Sequence, residues 1–253
     1  MMKKLYLLLF LCLAHFASFA QEETNRIKFL TIEKGLYLEP LNRFNSHWAG
    51  FEVGILNFFN DQYQFADSKE YDYLTIHPEK TMFYSINFIE LSAILDRRKK
   101  HWGISSGLAL EWNSLSLKKN IDLYKDDDNR LQADMIPKDV RKYKKNKLNM
   151  AYFTLPIMLE FQQRIGSEKL YLNLGVTGSI RGWSKQRQKY YDGGQKRKLK
   201  VRNDFNLSPF RYGLRAGIGY GRVGLVVSYS LVPLFDDSSA PKIYPIAFAL
   251  HLL

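Results

Sequence analysis

Strict alternation of apolar residues with small or polar residues is the feature that most constrains the fold of this chain. Alternation occurs in eight segments after residue 46, although its phase is less clear in the second, MFYSINFIELSAIL. Each segment is about as long as the ~9–11 residues with which a tilted strand crosses a bilayer. In KLYLNLGVTG, which starts at Lys169, every second residue from Leu170 to Val176 is apolar. A period of two is typical of β-strands with one apolar face, so the pattern predicts an all-β chain.

The connections between the eight segments alternate in length. The long ones are residues 60–81, residues 118–147, about 20 residues after the fifth segment, and PLFDDSSAPK. The short ones are DRRKK, RIGSE and GR. Bacterial outer-membrane barrels have short periplasmic turns and long external loops. We therefore expect residues 47–253 to form an eight-stranded antiparallel up-and-down transmembrane β-barrel.

The stretch GYGRVG, residues 219–224, fits the dinucleotide fingerprint G-x-G-x-x-G. That motif needs a strand followed by a helix whose N-terminus holds a pyrophosphate. Here the following run, VGLVVSYSLVPLF, has the alternation and composition of a strand. The glycines are therefore expected to serve a tight turn and a narrow barrel interior, and no cofactor is predicted.

The first 20 residues have the organisation of an export signal. Lys3 and Lys4 precede a short apolar run, and Ser18 and Ala20 are small residues at the positions that a signal peptidase reads. Cleavage is expected before Gln21, which leaves 35 basic and 25 acidic residues and a charge of +10. Residues 21–46 are then expected to form a periplasmic lead-in to the barrel, and the mature protein to lie in the outer membrane.

Several motifs occur in one order along the chain: HWAGFEVGILNFF, GLALEWN, YFTLPIMLEFQ, SKQRQKYYDGGQKRKLK, DFNLSPFRYGLRAGIGYG and YSLVPLF followed by YPIAFAL. Together they resemble the PorT-like outer-membrane β-barrel family of Bacteroidota, from about His47 onward. The resemblance is to the broader family rather than to PorT itself, a component of type IX secretion. It implies an outer-membrane barrel and little about activity.

Charged residues at inward positions suggest a network inside the barrel. The acidic members are Glu52, Glu111 and Glu160, with Glu90 as a further candidate, and the basic members are Arg181, Arg211 and Arg215. The acids lie on early strands and the bases on strands five and six, which meet across a closed barrel. Buried charges need partners, so ion pairs that fill a polar interior are expected. A polar path for protons or small ions is the alternative.

The third long connection is strongly basic. From residue 185 to 202 it holds eight bases and one acid, and the bases are Lys185, Arg187, Lys189, Lys196, Arg197, Lys198, Lys200 and Arg202. Nucleic acid is not expected outside the cell. The natural anions there are the phosphates of lipopolysaccharide, which lysine and arginine suit, and an acidic protein partner would also fit. A solvated charged loop is the simpler reading.

No catalytic or metal-binding residues are predicted. Asp126, Asp127 and Asp128 fail as a calcium loop because the required glycine and glutamate positions hold Leu131 and Pro137. The mature histidines have no metal-ligand spacing. An acyl-transfer pair of His77 and Ser85 has no further support.

These observations favour a non-enzymatic structural or scaffolding barrel with outer-membrane lipids and lipopolysaccharide as partners. The second reading is an accessory component of a secretion (type IX-like) or surface-transport complex, with secretion or surface-complex proteins as partners. A small-solute channel is disfavoured because eight strands leave no aqueous pore.

Overall fold

The computed structural model describes residues 36–37, 44–65, 74–96, 98–137, 141–192, 195–236 and 240–253. The signal-peptide prediction lies outside these residues. The strands are β1 (Leu36–Tyr37), β2 (Gly50–Phe59), β3 (Met82–Ile94), β4 (Trp102–Ser116), β5 (Ile121–Lys125), β6 (Leu131–Met135), β7 (Tyr143–Ile165), β8 (Glu168–Asp192), β9 (Gln195–Arg202), β10 (Phe210–Tyr220), β11 (Val223–Ser230) and β12 (Tyr244–Leu252). No helix among the described residues is long and apolar enough to cross a membrane.

Eight of these strands close into a ring. The order is β3-β2-β12-β11-β10-β8-β7-β4, β4 pairs back to β3, and every pairing in the ring is antiparallel. The predicted eight-stranded up-and-down β-barrel is confirmed. Closure leaves no open edge within the ring, which is the condition for a sheet to span a bilayer.

The outward positions of the barrel strands form an apolar belt. On β7 the exposed side chains include Phe153, Ile157 and Leu159, and on β8 they include Leu174, which is 63% exposed. Phe153 to Phe161 cover about 26 Å of strand at ~3.3 Å per residue. Tilted by ~40°, that length rises about 20 Å, close to the ~25 Å apolar band of outer-membrane barrels.

Aromatic residues line the upper edge of this belt. Tyr84 pairs with Trp112, Trp112 with Ala151, and Ala151 with Trp183, so the row crosses β3, β4, β7 and β8. Directly paired residues of adjacent strands point to the same face of a sheet. Aromatic girdles of this kind lie at membrane–water interfaces. Outer-membrane barrels carry their long connections outside the cell, and by that rule the upper end, which carries the long connections, is the extracellular one.

The lumen is closed at the extracellular end by an apolar cluster. The connections fold over the mouth and bury Ile121, Leu123, Phe205, Leu207 and Phe235 against inward side chains of the barrel strands. Between this cluster and the polar interior below, one cavity of only about 20 Å³ adjoins Arg211 and Glu111. The barrel is thus a packed core at this level, as expected of eight strands.

The glycines of GYGRVG make room for one buried tyrosine and one turn. A Cβ on Gly219 would lie 2.2 Å from Cζ of Tyr171, and a Cβ on Gly224 would lie 2.3 Å from its hydroxyl oxygen. Gly221, with φ of +58°, occupies the turn between β10 and β11. The prediction that these glycines serve the turn and the narrow interior agrees with this geometry.

Two long connections differ from their prediction as loops. Residues 121–135 form the β5–β6 hairpin, and residues 185–202 continue β8 and return as β9, so β7, β8 and β9 extend together beyond the belt. A bulge separates this extension from the barrel, since Tyr152 pairs with Arg181 but Ala151 pairs with Trp183, and Gly182 is the extra residue. Below the bulge, odd-numbered β8 residues face the lumen; above it, they face outward.

The lower mouth of the barrel is occupied by the segment that precedes β2. Residues 44–49, which the prediction divided between the lead-in and the first strand, enter the lumen. Phe44 and Trp48 are both 4% exposed and lie against the positions of Gly103 and Gly107 on β4. Upstream, Leu36–Tyr37 pairs in parallel with β3, so two residues of the expected lead-in do add to the sheet.

Candidate functional site: a cationic face above the apolar belt

The inner face of the β7–β8–β9 extension is fixed by buried amide side chains. Gln186 Nε2 donates to the Ile121 carbonyl at 3.0 Å, and Gln186 Oε1 accepts from the Leu123 amide at 3.0 Å. Asn146 Nδ2 donates to the same Ile121 carbonyl at 2.7 Å, and Gln188 Nε2 does so at 3.1 Å. These bonds hold the β5–β6 hairpin against the inner face, so the opposite face must point outward.

The outward face carries cations in cross-strand rows. The rows are Asn149–Lys185–Arg202, Lys147–Arg187–Lys200 and Lys145–Lys189–Lys198, followed by the pair Tyr191–Lys196. We call the nine basic members of these rows the cationic face. No position in the rows holds an acidic residue, and the lowest row lies one step above Trp183. The cations therefore begin where the aromatic row ends.

Like charges stand directly opposite one another on this face, which costs free energy. Such pairs bring Cβ atoms to about 4.5–5.5 Å and destabilise a sheet. Partial burial and the charges of Lys145 and Lys196 lower the pKa of Lys189, and burial with the charges of Lys145 and Arg187 lowers the pKa of Lys147. Both shifts mean that the neighbourhood disfavours further positive charge. A bound anion would relieve this repulsion.

The structure brings most of the predicted basic residues together. Seven of the eight belong to the cationic face, whereas Arg197 pairs with Tyr190 on the other face. Sequence reasoning missed Lys145 and Lys147, because residues 118–147 were taken as one connection. Only the register of β7 with β8 shows that these two lysines share the face.

The charged residues of the lumen form two arginine–carboxylate pairs. Arg215 donates to Glu52, and Arg211 donates to Glu111. Each guanidinium also lies over an aromatic ring, Arg211 at 4.2 Å from the centre of Tyr152 and Arg215 at 4.9 Å from that of Trp48. Such pairing meets the requirement that buried charges have partners.

The other predicted acids of the lumen, Glu160 and Glu90, accept hydrogen bonds from groups other than arginine. Glu160 accepts from His47 Nδ1 at 2.7 Å and from Gln162 Nε2 at 2.8 Å. Glu90 accepts from the amides of Trp48 and Ala49. Two acids thus hold the segment that enters the lower mouth.

Arg181 does not join a carboxylate pair but donates to the carbonyls of Asp204 and Leu207 at the upper rim. His251 lies inside the barrel, with its Nδ1 3.0 Å from Glu52 Oε1, and sequence reasoning did not place it there. The alternation of the last strand could have predicted this position, because His251 stands between Leu250 and Leu252, whose side chains are exposed on the outer face.

A closed antiparallel barrel with an outward apolar belt, an aromatic edge and a polar lumen defines an outer-membrane β-barrel. Residues 19–236 match the model of the family described as "Outer membrane protein beta-barrel domain", and the chain belongs to that family. Among solved structures it is similar to Ail, the attachment invasion locus protein of Yersinia pestis, with 10% identity, coverage of 79% of this chain and 93% of that chain, and a TM-score of 0.29. No curated protein matches the sequence.

Proposed function

We propose that this chain is a non-enzymatic structural barrel whose cationic face contacts the phosphates of lipopolysaccharide in the outer leaflet. One observation carries the proposal: the cationic rows begin directly above the aromatic row, on the same outward side as the lipid-facing belt. Phosphates of the outer leaflet lie at that height. Lysine and arginine at fixed cross-strand spacing complement an array of such anions.

The junction between the belt and the face supports this placement. Lys185 Nζ lies 4.2 Å from the centre of the Trp183 ring, so the first cation of the face packs on the last aromatic residue of the belt. Tryptophan at the interface and a lysine that reaches toward the headgroups are the usual pair at a membrane boundary. The lowest row therefore lies within reach of headgroup phosphates.

Lipopolysaccharide retention tests this proposal. The face variant Arg187→Gln, Lys189→Gln, Lys198→Gln, Lys200→Gln removes four charges from the face and leaves β7 unchanged. The full chain and the variant are extracted from outer membranes in mild detergent, and bound lipopolysaccharide is quantified. We expect the variant to retain at least about tenfold less, since charge-assisted contacts to phosphate are lost.

A control variant removes four charges at the opposite end of the barrel: Arg98→Gln, Lys99→Gln, Arg164→Gln and Arg222→Gln. It has the same net charge as the face variant, and its retention is expected to equal that of the unmodified chain. Equal retention by the face variant and the unmodified chain would refute lipopolysaccharide contact by this face.

A second candidate function is an accessory role in a secretion (type IX-like) or surface-transport complex. Its support is the height of the extension: from Trp183 to Tyr191, β8 rises by up to about 26 Å at ~3.3 Å per residue, beyond the headgroup layer. The upper rows could meet an acidic protein there. Stoichiometric secretion or transport subunits in a mild-detergent extract of the tagged protein would support this role, and lipopolysaccharide alone would support the first.

We also infer that the chain belongs to the PorT-like branch of outer-membrane barrels in Bacteroidota and that its export signal is cleaved before Gln21. The support is the ordered motif set and the arrangement of Lys3, Lys4, Ser18 and Ala20. N-terminal sequencing of the protein from outer membranes tests the cleavage site. A mature chain that starts elsewhere would contradict it.

A further inference from the structure

A groove of about 990 Å³ lies beside the upper ends of β4 and β7, under the end of the β5–β6 hairpin. Of the described residues that line it, seven are lysines and none is acidic. Lys80 comes from the β2–β3 connection, Lys118 follows β4, and Lys142 precedes β7. Three separate parts of the chain thus contribute lysines to one groove, and none of these three lysines belongs to the cationic face.

The strand register shows that this groove opens on the outer wall of the barrel. Ser116 and Lys147, which both line it, are direct partners, and Lys147 pairs in turn with Arg187 of the cationic face. Two steps below Ser116 on the same outward side stands Trp112, a member of the aromatic row. The groove therefore lies directly above the apolar belt.

The walls of the groove differ in chemistry. Met135, Ile136 and Pro137 form an apolar side, and Met135 is 57% exposed. A carboxylate lies nearby on the β2–β3 connection, since Glu79 Oε1 is 3.7 Å from Lys80 Nζ and 3.1 Å from His77 Nδ1. A ligand that suits the groove carries several negative charges on a compact head and some apolar surface. Its volume is within the range of small-molecule sites.

We propose that the groove seats the headgroup of a single, multiply phosphorylated lipid of the outer leaflet, with its acyl chains along the belt below Trp112. This inference rests on the proposed function, which sets the orientation of the barrel in the outer membrane. It differs in assigning one discrete lipid site rather than contact along an extended face. Phosphates contact the lysines, and the first apolar part of the lipid contacts the side formed by Met135 and its neighbours. A soluble sugar phosphate offers the same charges without the chains.

The test is native mass spectrometry of the full chain after release from nanodiscs. The probes are a bis-phosphorylated, acylated glucosamine disaccharide and its deacylated form. The groove variant is Lys80→Gln, Lys118→Gln, Lys142→Gln, and its matched control is Arg98→Gln, Lys99→Gln, Arg222→Gln at the opposite end. Each protein is first shown to be folded by its heat-dependent mobility in gel electrophoresis.

We expect one acylated ligand per unmodified or control chain, and at least about tenfold weaker binding by the groove variant. The four-charge face variant is expected to keep this single ligand while it loses bulk lipopolysaccharide, so the two proposals can fail separately. Unchanged binding by the groove variant would overturn the site. Equally tight binding of the deacylated probe would show that the groove recognises the phosphorylated sugar without its acyl chains, and would overturn the assignment of a lipid as the ligand.

Discussion

Arg215 on β10 and Glu52 on β2 meet across the lumen, and the carboxylate has no exposed surface. Glu52 Oε1 also accepts from Asn87 Nδ2 at 2.7 Å. We predict that Arg215→Met lowers the free energy of unfolding by about 3–5 kcal/mol, because it leaves an uncompensated buried charge. Urea unfolding in detergent micelles measures the change. The double variant Arg215→Met, Glu52→Gln is expected to recover much of the loss, and a double variant no more stable than the single one would contradict this role for the pair.

The space around Tyr171 gives a second prediction. Gly219→Ala places a methyl group 2.2 Å from Cζ of Tyr171, so the ring must move and the barrel is expected to lose about 1–3 kcal/mol. Gly178→Ala is the matched control, since a Cβ at that position meets nothing within 4 Å. Urea unfolding compares the two. Similar losses of unfolding free energy in both variants would mean that the backbone preference of glycine, rather than the space needed by Tyr171, explains the glycine at position 219.

The cationic face predicts a salt dependence. Since like charges stand opposite one another, screening should stabilise the β7–β8–β9 extension as NaCl rises from about 0.1 to 1 M and the Debye length falls from about 10 to 3 Å. Hydrogen exchange of the β8 and β9 amides measures local stability in detergent without lipopolysaccharide. The variant Arg187→Gln, Lys198→Gln removes one charge from each of two rows and should show a weaker dependence. An identical dependence in both proteins would show that these rows do not repel.

The contact between Lys125 and Asp204 predicts a pH effect outside the membrane. Lys125 Nζ lies 2.5 Å from Asp204 Oδ1 and joins β5 to the β9–β10 connection. Partial burial raises the pKa of Asp204, but the hydrogen bond from Lys125, the hydrogen bond from the Asn206 amide and the charge of Lys125 together hold that pKa below its usual value.

A depressed carboxyl pKa means that the stabilisation is present above the unfolded value of about 3.9 and is lost as pH falls through the folded value. Asp204 is 47% exposed, so the effect is small, below about 1 kcal/mol. Hydrogen-exchange protection of the β5–β6 hairpin should fall as pH drops below about 4. Lys125→Gln should weaken protection at neutral pH and flatten this response, and an unchanged profile would contradict it.

The segment in the lower mouth predicts a conductance effect. Glu90 holds the amides of Trp48 and Ala49, and Glu160 holds His47. Glu90→Leu with Glu160→Leu removes both attachments, and Trp48 fluorescence should then report a more solvated side chain. Single-channel conductance should stay at the background level, because the apolar cluster still closes the upper mouth. A discrete conductance in the double variant would place the main barrier in the lower segment instead.

The alternation of side chains was enough to predict the barrel, because lipid on one side and a packed lumen on the other impose a strict period of two. Glu52 and Arg215 could be placed inside by this rule alone. The partners of Glu160 and Arg181 could not. His47 was expected at the start of the first strand but belongs to the segment that enters the lower mouth, and the carbonyl of Leu207 belongs to a folded connection. The cationic face depends on register, which composition does not reveal, and so Lys145 and Lys147 were missed.

Gly182 decides on which side of the extension the charges stand. As the extra residue of the β8 bulge, it shifts by one the faces to which all later β8 residues point. If Gly182 were deleted, Lys185, Arg187 and Lys189 would turn toward Ile121 and Leu123, and Gln186 and Gln188 would turn toward the membrane surface. One inserted residue thus determines which face of the extension is charged. Without it, the same β8 side chains would place their charges on the inner face, against the hairpin.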